Sequence, residues 1–159
     1  MNTTARLGFG AVVALVGALG MIGCTSTPKK SIVLTPLDCS VAGQKPKVLK
    51  KAITGATIEI PVRAINNNPI AVKLDQLALD ATINGTSIGS CEPVRSLQIG
   101  SGETANLRLI YHVSTIGGGI GVVDALATGN ITLEAAGNGH IVAAEPGYVG
   151  DKDFPLQLK

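Results

Sequence analysis

Residues 58–85 read IEIPVRAINNNPIAVKLDQLALDATING, and this stretch decides the fold. Ile58, Ile60, Val62 and Ala64 fall on one face of an extended chain, with Glu59 and Arg63 on the other. A polar break follows at Asn66-Asn67-Asn68-Pro69. Alternation then resumes through Leu77, Leu79, Ala81 and Ile83, with Ala78, Asp80 and Thr82 opposite. A period of two over this length predicts half-buried antiparallel strands rather than helix. The asparagines bond their own backbone in turns, and Pro69 holds Asn68 extended. Asn84-Gly85 predicts a tight hairpin, because both residues tolerate positive φ. Nothing in the stretch is catalytic; it is a scaffold.

Working outward, short strands are expected at Ser31 to Thr35 and Cys39 to Val41, Val48 to Ala56 leads into the central pair, and a further strand is expected at Ala105 to Val113. Gly100-Ser101-Gly102-Glu103 is the turn before the last of these. Asn130 to Ala135, Ile141 to Ala144 and Phe154 to Leu158 complete the set, with Asn138-Gly139 read as a turn. A short helix is expected over Gly121 to Ala127, with Gly129 as its C-terminal stop. Many short strands with Gly or Asn turns point to an all-β, single antiparallel β-sandwich.

The order of strand, Asn-Asn-Pro, Leu-x-Leu strand and Ile-Asn-Gly resembles the late embryogenesis abundant type 2 group, which carries the water-stress and hypersensitive-response (WHy) domain. Its Asn-Pro signature is matched by Asn68-Pro69, behind Asn66 and Asn67, and its glycine turn by Asn84-Gly85. The asparagine that follows the proline in that family is Ile70 here. The resemblance runs less specifically through Gly100-Ser101-Gly102 and covers Lys47 to the C-terminus. It implies a sandwich of the fibronectin type III-like kind and a non-enzymatic role under water stress.

The 159 residues suit one domain. There is no Trp, with two Tyr and two Phe, so the core must be aliphatic. Abundant Val, Ile and Leu set the chain apart from hydrophilic disordered stress proteins. The formal net charge of +2 is unevenly placed. Lys29, Lys30, Lys45, Lys47, Lys50 and Lys51 precede the core, accompanied only by Asp38, and from Ala52 onward acids outnumber bases. The lysines read as a solvated leader, or as a basic segment near anionic head groups worth about 1 kcal/mol per Lys. No basic stripe is interleaved with aromatics, which argues against nucleic acid.

Residues 1–23 read as an export signal, with Arg6 as the basic n-region and Phe9 to Ile22 as the apolar h-region. Met21-Ile22-Gly23-Cys24 resembles a bacterial lipobox, which makes Cys24 the lipidated first residue and residues 24–30 a tether to the domain at 31–159. Other readings are a plain signal peptide cleaved elsewhere and an uncleaved anchor. Acyl chains hold a membrane through about 0.8 kcal/mol per buried CH₂. Thr25 after the Cys, by analogy with lipoprotein sorting, favours the outer membrane facing the periplasm. Export also sets the fate of Cys39 and Cys91, which in an oxidising compartment are expected to form a disulfide. A loop of that length stabilises by about 4 kcal/mol in the chain-entropy account.

The sequence carries few reactive motifs. No Cys-x-x-Cys spacing supports redox or zinc chemistry, and no Gly-x-Ser-x-Gly elbow is present. Gly117 to Gly121 lacks the Lys-Ser/Thr of a phosphate loop and reads as a connector. His112 and His140 have no second ligand at metal spacing and read as exposed structural residues. Asp75 and Asp80, an odd number apart, face opposite ways on a regular strand. Asp151 and Asp153 read as a solvated loop. The expectation is therefore a non-enzymatic envelope lipoprotein with no cofactor and no metal. The resemblance implies protection of membranes or proteins during drying or freezing; the other reading is an interaction module binding an envelope partner. A small apolar ligand between the sheets is a third possibility, since sequence does not show cavities.

Overall fold

In a computed structural model, residues 27–43, 45–114 and 120–159 are described. The export signal, Cys24 and most of the Gly117–Gly121 connector lie outside the described residues. The strands are β1 (Lys30–Ser31), β2 (Asp38–Val41), β3 (Lys47–Ala52), β4 (Gly55–Ile65), β5 (Val72–Ile83), β6 (Thr86–Ser90), β7 (Leu97–Ile99), β8 (Thr104–Ser114), β9 (Leu133–Ala143), β10 (Tyr148–Val149) and β11 (Asp151–Leu158). One helix, α1 (Ile120–Thr128), joins β8 to β9.

The opening stretch supplies the central strand of each sheet. β4 pairs with β8 along its whole length, and β2 and β3 lie end to end on its other edge. β5 pairs with β9 along its whole length, with β7 and β6 end to end on the other edge and β11 beyond β9. These sheets are antiparallel and pack face to face. Ile58, Ile60, Val62 and Ala64 of β4 are fully buried, and so are Val72 and Ile83 of β5, with Leu74, Leu79 and Ala81 nearly so. The architecture is an all-β antiparallel sandwich with one short helix, as the strand pattern predicts. β1 and β10 add a small parallel pair at the end of the sandwich where β4 hands over to β5.

Local chemistry explains the breaks. Pro61 sits in a central strand, where its missing N–H would normally remove a ladder bond. Its carbonyl accepts from Ala42 N at 2.9 Å, so its nitrogen faces the gap between β2 and β3. The edge is split where the proline has nothing to donate. Asn84 and Gly85 take φ of 51° and 74°, closing the two-residue β5–β6 hairpin in which Ile83 faces Thr86. Gly129, with φ of 74°, ends α1 and donates its N–H to Ala125 O at 3.0 Å.

Three expectations change. Asn138-Gly139 is not a turn: β9 runs unbroken from Leu133 to Ala143. Its glycines answer close neighbours instead. A Cβ on Gly137 would stand 1.9 Å from Ala78 O, and one on Gly139 would stand 2.5 Å from the Phe154 ring that covers it. Asp75 sits at a bulge, where the β5–β9 register shifts between Leu74 and Gln76. Buried positions accordingly pass from Val72 and Leu74 to Leu77 and Leu79, so the rule that an odd separation opposes Asp75 and Asp80 does not apply. Asp151 and Asp153 lie in strand β11 and not in a loop.

Candidate functional site

The Asn-Asn-Pro motif is a buried fastening. Asn66 and Asn68 are 0% and 2% exposed, whereas Asn67 between them faces solvent. Asn66 Nδ2 donates to the carbonyls of Ile70, Ile99 and Gly100 at 2.9–3.0 Å, and its Oδ1 accepts from Asn68 N and Asn68 Nδ2. Asn68 Oδ1 accepts from Thr35 N and Oγ1, while Asn68 Nδ2 donates to Thr35 O. Ser101 Oγ donates to Asn68 O, and Gly102 N donates to Asn66 O. Two amides thus tie the incoming N-terminal segment, the β4–β5 crossover and the β7–β8 turn together. Every polar atom of the two amides is satisfied, which is how buried amides avoid a desolvation penalty. This hub positions elements and presents no reactive group.

The expected Cys39–Cys91 disulfide is not formed; both are free thiols. Cys39 pairs with Ala64 across β2 and β4, and Ala64 pairs with Ala105 of β8. Cys91 instead meets Tyr111 at the outer edge of β8. Its N–H donates to Leu79 O and Glu92 N donates to Ile110 O, so Cys91 stitches the two sheets on that side. The cysteines stand on opposite sides of the sandwich, three strand spacings apart, or about 14 Å before any offset along the strands. A bridge needs Cα atoms within about 7 Å. Burial, and then the Asp38 carboxylate, push the Cys39 thiol up to about 11. Beside Cys91 the buried Tyr111 hydroxyl is raised in pKa, first by burial and then by the neighbouring Cys91.

Each histidine finds a carboxylate that linear spacing did not reveal. His140 Nδ1 lies 2.7 Å from Asp153 Oδ1, a pair facing each other across β9 and β11. His112 Nε2 lies 2.5 Å from Glu92 Oε1, and its Nδ1 lies 3.3 Å from Thr57 Oγ1. Register extends this row to Lys50, opposite Thr57 on the other edge of β4. Thr57, His112 and Glu92 have the residue types of a hydroxyl–imidazole–carboxylate line. Thr57, however, stands mid-strand between two paired neighbours, not on a turn that exposes paired N–H groups to an oxyanion. The hollow beside the row, about 400 Å³, is open to solvent. No set of three metal-ligating side chains occurs among the described residues.

The remaining candidate is β3. Of the lysines read as a leader, Lys47, Lys50 and Lys51 in fact lie in this edge strand, and all six of its residues are exposed. Among the described residues it pairs only with β4, and Lys47, Lys50 and Lys51 have no ion-pair partner. Val48 and Leu49 are 37% and 54% exposed, among the few large apolar side chains left outside. Between β3 and α1 lies a groove of about 510 Å³ whose walls include Val48, Lys51, Val123 and Leu126. The sequence signal for this surface was the Lys-rich run with its interleaved apolar residues.

No protein-family model matches the chain, and no curated protein matches it. Among solved structures it is similar to a protein from Archaeoglobus fulgidus, at 12% identity and TM-score 0.44, over 77% of this chain and 95% of that one. It is also similar to an uncharacterized β-sandwich protein from Clostridium difficile 630, at 14% identity and TM-score 0.31, over 84% and 96%. The resemblance to the WHy domain rests on the residues quoted above.

Proposed function

We propose that this chain is a non-enzymatic lipoprotein of the bacterial envelope that works as an interaction module, holding a partner protein at β3. The observation that carries the reading is an edge strand exposed along its full length, with Lys47, Lys50 and Lys51 beside exposed Val48 and Leu49. Sheet edges of this kind accept a further strand through main-chain hydrogen bonds. Position favours a protein over the membrane. The chain enters at the Asn68–Thr35 clamp, level with Ile65, whereas β3 pairs with Gly55 to Glu59. At about 3.3 Å per residue, β3 lies about 20–33 Å along the sandwich from that entry. A lipid on Cys24 would therefore attach at the end of the sandwich opposite β3.

A photo-crosslinking residue at Leu49, in cells making the full chain, tests this reading. One product of fixed stoichiometry, absent when the crosslinker sits at Ala136 on the other sheet, is the expected result. No product at Leu49 defeats it.

A second reading, protection of membranes or proteins during drying or freezing, is supported by the Asn66–Asn68 hub, because the residues that carry the resemblance are those that fasten the sandwich. Its test is survival of a deletion strain through desiccation and freeze–thaw, with a client-enzyme protection assay. Survival and client activity equal to controls remove this reading.

A further inference from the structure

The register of β3 defines what an incoming strand would meet. Lys47 pairs with Glu59 and Lys50 with Thr57, while Val48 pairs with Ile58 and Lys51 with Ala56. Directly opposed residues share a face. Ile58 and Ala56 are buried, so Val48 and Lys51 turn toward the inner side and the α1 groove. Lys47 and Lys50 take the opposite, outward face by register, and Lys47 also borders the groove. They are three apart in sequence, yet the bulge between Val48 and Lys50 places them opposite β4 residues only two apart. Their spacing is thus one strand repeat, about 7 Å.

We propose that the edge of β3 away from β4, unpaired among the described residues, accepts an extended segment of a partner protein in which acidic and apolar residues alternate. Its acidic side chains stand one repeat apart against Lys47 and Lys50. Its apolar side chains enter the groove of about 510 Å³ against Pro46, Val48, Val123, Leu126 and Ala127. Lys51, at the groove wall, meets a further carboxylate or the segment's C-terminus. The inference rests on the interaction reading above and names the chemistry of the partner.

Lysines and bulges on edge strands also prevent indiscriminate pairing. Here that property and the proposal agree. A second copy would bring Lys47 and Lys50 against lysines, whereas an acidic strand meets opposite charge. Edge protection alone requires no apolar groove beside the strand, and this strand has one.

The test uses the full chain, purified in mild detergent, inserted in phosphatidylcholine vesicles and titrated with fluorescent octapeptides followed by anisotropy. One peptide alternates Glu with Val or Leu. A second has the same composition with its acids in one block, and a third replaces Glu by Lys. The alternating acidic peptide should bind best and weaken as salt rises, since exposed charge pairs are screened. The double substitution K47E/K50E should weaken it by at least about tenfold through like-charge contact. A127E, at an exposed helix position on the groove, should weaken it with the β3 lysines intact. Unchanged thermal melts confirm that both variants fold.

Equal binding of all three peptides, or unchanged binding by K47E/K50E, overturns the proposal. So does a dimer in sedimentation velocity that K47E/K50E dissolves, since the occupant is then a second copy. Protection of Lys50 from amine labelling when phosphatidylglycerol enters the vesicles overturns it in favour of a lipid surface. A single crosslinked partner at Leu49 together with failed peptide binding sinks this chemistry and leaves the interaction reading standing.

Discussion

The two ends of β4 treat polar groups in opposite ways. At the Ile65 end, two asparagine side chains are buried and each of their donors and acceptors is matched. At the Gly55 end, β3 exposes lysines that have no ion-pair partner among the described residues, and leaves apolar side chains in water. A buried amide network fixes one arrangement of the chain, because any slip strands a polar group. An exposed edge fixes nothing by itself and stays open to another chain. Stability and recognition are thus placed at opposite ends of one strand.

The sharpest way to break the contrast is to disarm the hub. Asn66→Ala removes the donor to the carbonyls of Ile70, Ile99 and Gly100, of which Gly100 O keeps Glu103 N, and takes the acceptor from two Asn68 donors. The expected loss is about 3–5 kcal/mol, read by chemical denaturation, and the melt should broaden if the ends uncouple. Unchanged stability would mean that the asparagines are not the fastening.

Next in size is Gly137→Ala, between the two ends. Its new Cβ would sit 1.9 Å from a backbone oxygen, which no rotamer relieves. About 2–3 kcal/mol should be lost, as for an overpacked core. A smaller effect follows from Gly85→Ala, which forces a side chain into φ of 74° at the β5–β6 turn. That should lower stability by about 1 kcal/mol.

The thiols give a fourth test. With no disulfide, reductant should leave the melting temperature unchanged, and a fall of several degrees would restore the bridge. Because the Cys39 thiol is pushed up to about 11, its alkylation in the native protein should be slow at pH 8 and rise steeply toward pH 11. The sign for stability follows. The unfolded thiol ionises near 9.0, so whatever the buried neutral thiol contributes is fully present below that pH and is lost as pH climbs toward 11.

The smallest effects belong to the open end. Lys50→Ala and Leu49→Ala should each change stability by no more than about 0.5 kcal/mol, since exposed side chains contribute little to folding. A large loss would show that β3 is part of the core.

What the sequence disclosed follows from which interactions are local. β4, the Leu77–Ile83 part of β5, the Asn84-Gly85 turn, β8 and the Gly129 stop were legible because alternation and positive φ are properties of a few neighbours. The unbroken β9 was not, because Asn138-Gly139 is a strong local turn signal. Two distant partners override it, the Ala78 carbonyl and the Phe154 ring. The disulfide failed for a related reason: compartment chemistry permits a bridge, whereas strand order decides whether two cysteines meet. The asparagine run was visible as a break and invisible as a hub, since its partners lie 33 residues away on either side. Of the candidate site, the lysines were legible. The bulge that aligns Lys47 with Lys50, and the helix beside them, were not.

The Thr35 clamp also has a mechanical meaning. Any pull on the chain ahead of Lys30 first loads β1 against β10, a parallel pair only two residues long. If that ribbon peels, tension passes to Thr35, where Asn68 holds the backbone N–H, the hydroxyl and the carbonyl at once. Asn68 is held in turn by Asn66, whose amide grips both the crossover and the β7–β8 turn. A pull on the chain ahead of Lys30 is therefore spread over both sheets before either begins to unzip, and β3 at the far end stays in register while the near end is strained.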